Sequence, residues 1–142
     1  MTPRFLDFIP FILELEGSDY EDVPGDSGGP TKFGIDSASH PGVDIRNLTR
    51  EQAIAIYYQE WSREGCESLT YPMGELFFDC CVNSGYGEAR QILARATTPA
   101  AFVAEYDRVY RLIVANHPQD EKFLTGWLNR NQALRKRLGI AA

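Results

Sequence analysis

Apolar residues recur at helical spacing through most of the chain. Phe5, Phe8, Ile9, Ile12 and Leu15 fall on one face of a first segment, with Thr2 as N-cap and Pro3 as first helical residue. Pro10 breaks the pattern and predicts a kink or a shifted start. Gly17 supplies a stop. Thr49 with Gln52 three residues later reads as a capping box, opening a helix to about Gly65 with Ala53, Ile56, Tyr57 and Trp61 on one face. Pro72, Leu76, Phe77, Cys80 and Cys81 mark the most apolar helix, expected at the centre of the core and ending between Asn83 and Gly87. A short helix from Glu88 to about Ala96 follows. Thr98 and Pro99 open another, carrying Phe102, Tyr106, Val109 and Ile113, which His117 and Pro118 break. The last helix covers about Asp120 to Leu138.

Between the first two helices the pattern changes. Pro24, Gly25, Gly28, Gly29 and Pro30 predict turns and short irregular strands, with Lys32 to Asp36 as one strand of a small hairpin and a loop from Asp36 to Asn47. The sum is a predominantly helical α+β fold, with a small Gly-rich lobe after the first helix and a helical bundle lobe. No linker, repeat or low-complexity segment divides the chain.

Composition narrows the function. A chain of 142 residues that is 44% hydrophobic suits a globular unit with a real core. No run reaches the ~18 apolar residues of a membrane span, and the N-terminus lacks the pattern of a signal peptide. Synthesis in the cytoplasm is therefore expected. The net charge of −6 argues against nucleic acid as a partner. Its distribution is uneven, with the acids concentrated before residue 45 and only Lys122, Arg130, Arg135, Lys136 and Arg137 charged after residue 121. That asymmetry suits either a neutral polymer in a cleft beside an anionic wall or simply two solvated faces. Cys66, Cys80 and Cys81 are odd in number, two of them adjacent, so they form no disulfide framework, and they lack metal-ligand spacing. Cys80 and Cys81 read as small core residues.

Two motifs mislead. Residues 25–30 spell GDSGGP, the string around a serine-protease nucleophile, yet His40 and His117 both follow Ser27 and the chain is helical. The same glycines lack the order of a phosphate loop, and Asp26 would repel phosphate. Glu16 is more informative. It stands near a helix C-terminus, where the backbone dipole opposes negative charge, and faces a flexible acidic loop. Glycoside hydrolysis needs a proton donor at the leaving oxygen and a base, nucleophile or water-positioning group on the opposite face. Glu16 suits the first role; Asp26 and Thr31 could serve the second. A helix-end Glu is more often merely solvated.

The segment EGSDYEDVPGDSGGPTKFGID resembles the opening motif of glycoside hydrolase family 108, the phage and bacterial N-acetylmuramidases. LTREQAIAIYYQEWS, MGELFFDCCVNSGYGEA and YDRVYRLIVANHPQDEKFLTGWLNR resemble later segments of that family in the same order. The resemblance implies a lysozyme-like fold and cleavage of the β-1,4 bond between N-acetylmuramic acid and N-acetylglucosamine, with Glu16 as general acid and no metal or cofactor. The spacing from Glu16 to Thr31 is similar to the Glu-to-Thr spacing of phage-type lysozymes, whose middle Asp would fall on Gly25, one place short of Asp26, with Asp22 as a rival. Ser18 and Pro30 depart from the family pattern, and the stretch from Ala96 to Pro99 is short.

The resemblance further implies a muramidase core over 1–96 and, packed with it, a shortened peptidoglycan-binding-like part over 97–142. Tyr20, Asp22, Asn83 and Tyr86 become candidate sugar contacts: Asn83 to an N-acetyl group, Tyr86 by stacking. Phe33, Tyr57 and Trp61 read as core, Trp127 as core or wall contact, and His40 and His117 as surface residues. The partners implied are peptidoglycan glycan strands, and a holin or secretion partner that gives a monomer access to the wall after release. The other reading is a catalytically silent wall- or partner-binding domain on the same fold.

Overall fold

A computed structural model describes residues 1–141. The fold is α+β and mostly α, with six α-helices and one two-stranded sheet among the described residues. Two compact units divide the chain, residues 1–67 and residues 68 onward.

In the first unit, α1 (Pro3–Glu16) starts where Thr2 Oγ1 accepts the amide of Phe5 at 3.3 Å. The helix runs unbroken through Pro10. Proline lacks the N–H that would reach the carbonyl of Leu6, but Leu6 is 47% exposed and Pro10 is exposed too, so water can serve that carbonyl. The buried stripe is Phe5, Phe8, Ile9, Ile12 and Leu13; Leu13 rather than Leu15 completes it. It packs on α2 (Arg50–Arg63), whose buried residues are Ala53, Tyr57 and Trp61. The expected capping box is present, with both Thr49–Gln52 bonds made. The Phe5 ring lies 4.9 Å from Tyr58 and 5.8 Å from Trp61. At the end of the unit, the Glu67 carboxylate accepts from Trp61 Nε1 at 2.6 Å and Thr2 Oγ1 at 2.9 Å, tying the start of α1 to the end of α2.

The segment expected as one strand from Lys32 to Asp36 instead folds back on itself. Strands β1 (Thr31–Lys32) and β2 (Ile35–Asp36) pair antiparallel, Thr31 opposite Asp36 and Lys32 opposite Ile35. Phe33 and Gly34 form the two-residue turn, with φ of 54° and 77°. Positive φ at both central positions is the turn geometry that matches strand twist, but it is unfavourable for Phe33. Two contacts offset this. The Phe33 ring is buried, and the Tyr57 hydroxyl donates to the Phe33 carbonyl at 2.6 Å. On the other side, Glu21 and Thr31 exchange backbone bonds of 2.8 and 2.7 Å, extending the ladder by one rung.

His40, expected as a surface residue, is half-buried and structural. Its Nδ1 faces the Asp36 carbonyl at 3.0 Å and its Nε2 faces the Glu60 carboxylate at 2.9 Å. The ring bridges the Asp36 backbone and the Glu60 side chain and so links β2 to α2.

The second unit forms around α3 (Met73–Ser84), in which every residue from Met73 to Cys80 is buried. This is the expected central helix. Around it stand α4 (Tyr86–Arg95), α5 (Pro99–Asn116) and α6 (Glu121–Leu138). Burial on all sides leaves Asp79 of α3 fully buried, and Arg130 of α6 meets it at 2.9 Å. Beside this pair, Asp107 of α5 accepts from Asn131 Nδ2 at 2.8 Å and Arg135 Nη2 at 2.7 Å. Cys80 is core, as expected, and burial pushes its thiol up to about 12. A column of rings runs along α5 into α6. Tyr106 stacks on Tyr110 at 4.8 Å, Tyr110 on Trp127 at 5.1 Å, and Trp127 on Phe123 at 5.9 Å.

Two predictions follow from these constraints. Arg130→Met removes a guanidinium from a buried carboxylate and should lower unfolding stability by roughly 3 kcal/mol in urea titrations. Tyr57→Phe strands the Phe33 carbonyl and should cost about 1–3 kcal/mol by the same measurement, with helix content unchanged in the folded protein.

Candidate active site

Glu16 is the last residue of α1, half-buried, with Gly17 leaving the helix at φ 78°. The hairpin turn lies directly against it. A methyl group at Gly34 would sit 2.8 Å from Glu16 Cγ, 2.9 Å from Glu16 Cβ and 2.7 Å from the Tyr57 hydroxyl. No side chain fits there. The Glu16 stem is thus bounded by backbone, which limits how far its carboxyl can wander.

The loop that follows is shaped by its own polar groups. Asp26 is exposed, and its Oδ1 accepts the Gly28 amide at 2.9 Å in an Asx turn. Its other oxygen has no hydrogen-bond partner among the described residues. The Asp36 carboxylate reaches the same place from β2. Asp26 Oδ1 and Asp36 Oδ2 lie 3.5 and 3.4 Å from the point where a Gly28 side chain would start. Asp36 Oδ2 is occupied by the Ser39 amide at 3.2 Å and the Ser39 hydroxyl at 3.1 Å. Asp22 is exposed and makes no hydrogen bond or ion pair among the described residues. Thr31 occupies the middle rung of the ladder, between Glu21 and Asp36, and its hydroxyl donates to the Gly29 carbonyl at 3.2 Å. Tyr20 is half-buried under the Arg46 guanidinium, 4.6 Å above its ring, so one ring face is taken.

The other two predicted contacts belong to the second unit. Asn83, near the end of α3, is exposed, but its Nδ2 donates to the Tyr106 hydroxyl at 2.9 Å and to the Tyr110 hydroxyl. The amide is oriented by those phenols, which leaves Oδ1 as the open acceptor. Tyr86 begins α4 at 44% exposure, its ring edge-on to Phe77 at 6.1 Å and under Arg90 at 5.6 Å.

Phe33, Tyr57 and Trp61 are core, as expected. The hydrogen bond from Tyr57, the close approach at Gly34 and the His40–Glu60 link are tertiary and leave no local mark in the sequence. Gly34, at the second central position where positive φ is required, is the clue the sequence offers to the turn.

Residues 9–85, more than half of the chain, match the family model described as Glycosyl hydrolase 108. No curated protein compared with the chain matches it. Among solved structures it is similar to one titled "Structure of Brucella abortus SagA", at TM-score 0.75 and 21% identity, over 95% of this chain and 93% of that one. That likeness is one of fold. The family match contains Glu16, Tyr20, Asp22, Asp26, Thr31 and Asn83 in one continuous span, and on it the chain belongs to glycosyl hydrolase family 108.

Proposed function

We propose that the chain hydrolyses the β-1,4 bond between N-acetylmuramic acid and N-acetylglucosamine in peptidoglycan, with Glu16 as general acid. The observation that carries this reading is the seat of Glu16: a helix-terminal carboxyl, bounded by the Gly34 backbone, inside the family 108 span. Glu16 protonates the glycosidic oxygen as the bond to the leaving sugar breaks. The charge that develops at the anomeric carbon needs an anion or a polarised water on the other face. Asp26 retains an oxygen for that purpose, and Thr31, on β1 after the Gly-rich loop, supplies a hydroxyl. Asp22, with no hydrogen-bond partner among the described residues, is the rival for the same role. Tyr20, Asn83 and Tyr86 are proposed sugar contacts. In this reading the enzyme is an endolysin-type monomer, and a holin or secretion partner brings it to the wall.

Purified cell walls test the assignment. Glu16→Gln should reduce loss of turbidity by about 10²–10⁴-fold without altering the thermal transition. Equal activity in the two proteins would overturn Glu16 as the acid. Wild-type protein with no activity at all, but with wall binding intact, would point to a silent binding domain. New reducing ends at muramic acid mark hydrolysis, whereas an anhydro product marks transglycosylation.

The opposing group can be assigned separately. Asp26→Asn keeps an oxygen to accept the Gly28 amide, so it removes charge while leaving the turn intact. Turnover should fall on the order of 10²-fold with little change in KM. A loss confined to Asp22→Asn would transfer the role to Asp22.

A further inference from the structure

Arg46 is held in a position that none of the roles above uses. Its guanidinium lies over one face of Tyr20, 4.6 Å from the ring centroid, and the residue is exposed. Its side chain makes no hydrogen bond or ion pair among the described residues.

Contacts within the first unit fix this position. Lys32 Nζ donates to the Arg46 carbonyl at 3.3 Å. Lys32 follows Thr31 on β1, and Thr31 exchanges backbone bonds with Glu21, the neighbour of Tyr20. Tyr20, Glu21, Thr31, Lys32 and Arg46 therefore close a circuit of contacts. The hairpin, rather than a counter-ion, holds the guanidinium beside the Gly-rich loop.

The stacking decides which bonds the group offers. A guanidinium donates only in its own plane, through five N–H groups. The Tyr20 ring covers a face, so it consumes none of these donors. Asp44, the acid nearest to Arg46 in the chain, spends its two carboxylate oxygens on Asn47, at 3.3 Å to the backbone amide and 2.8 Å to Nδ2. Arg46 thus presents an unspent planar fork, the shape that matches a carboxylate.

The charges around it narrow the use of that fork. Asp19, Glu21 and Asp22 flank Tyr20 in the chain and are exposed, and Asp26 follows in the same loop. Such a field repels an anionic polymer. A neutral glycan needs no cation there. A glycan that carries carboxylates does, and Arg46, with Lys32 beside it, supplies the opposite charge at Tyr20.

We propose that Arg46 is a specificity-determining residue, which binds a carboxylate carried by the glycan strand next to the sugar on Tyr20 and so favours acidic glycans over neutral ones. The proposal rests on the glycan-hydrolase reading above and adds to it the charge that is read and the residue that reads it.

The test measures binding of the full-length Glu16→Gln protein to purified cell walls by co-sedimentation. One portion of wall is native; in the other, methylamine and a carbodiimide have converted the carboxyls to methylamides. The parent protein should bind the native wall more tightly. Adding Arg46→Gln, which keeps a hydrogen-bonding group but no charge, should weaken binding to the native wall by about 10-fold and leave binding to the amidated wall unchanged. Arg46→Lys, which keeps the charge without the fork, should fall between the two. Thermal transitions matching that of the parent check that both variants fold. An equal loss on both walls would mean that Arg46 only supports Tyr20, and would overturn the proposal. So would unchanged binding to the native wall, or a parent protein that does not distinguish the walls. The catalytic reading is tested apart from this: wild-type protein that hydrolyses neither wall would sink that reading, while the binding ratio still reports on Arg46.

Discussion

Position 34 must be glycine, and the geometry of the first unit depends on it. The backbone there turns through positive φ at two successive residues while pressed between a tyrosine hydroxyl and the methylenes of Glu16. Any β-carbon would collide with both. The same absence of a side chain lets the Tyr57 hydroxyl come within reach of the Phe33 carbonyl, and that bond stabilises the one non-glycine residue held at positive φ among the described residues. Turn, helix end and α2 therefore fix one another. Moving Glu16 means moving a buried tyrosine and a strained turn, so its position is a property of the packing rather than of the side chain alone.

The second unit solves a different problem. A helix buried on every side has no face for charge, yet α3 carries Glu75 and Asp79 within its buried run. Arg130 answers Asp79, and the neighbouring Asp107 gathers Asn131 and Arg135. Such pairs add little net stability over an apolar core, but each specifies which residue of α6 must meet which residue of α3 or α5. The aromatic column works toward the same end by another route. Its rings stack only when α5 and α6 share one register.

These features explain what could be read from sequence and what could not. Local signals were legible: the Thr2, Thr49 and Thr98 caps, the apolar run of α3, and the core placement of Phe33, Tyr57 and Trp61. Each depends on residues within one or two turns of each other. The hairpin turn is hidden from local sequence because the contact that makes positive φ tolerable at Phe33 comes from Tyr57, 24 residues away. The partial burial of His40 has no local signal because its partner Glu60 lies 20 residues on. Asp79 and Arg130 are 51 apart, and no periodicity links them. For the site, Glu16 stood out at a helix end, whereas the environment that confines it, Gly34 and Tyr57, is tertiary. Asn83 was found by motif, but the direction its amide faces is set by phenols 23 and 27 residues later.

The tip of the Gly-rich loop differs from everything around it. Residues 28–30 are anchored by Ser37 and Ala38, and the Glu21–Thr31 rung closes the base. Asp26, by contrast, bonds only to Val23, Gly28 and Gly29 within the loop itself. Residues 22–27 thus join the anchored part of the loop through the Asp26 bonds to Gly28 and Gly29. Exchange there would replace Asp26 or Asp22, the groups proposed to work opposite Glu16, while the Gly34 and Tyr57 contacts that hold the Glu16 stem stay as they are.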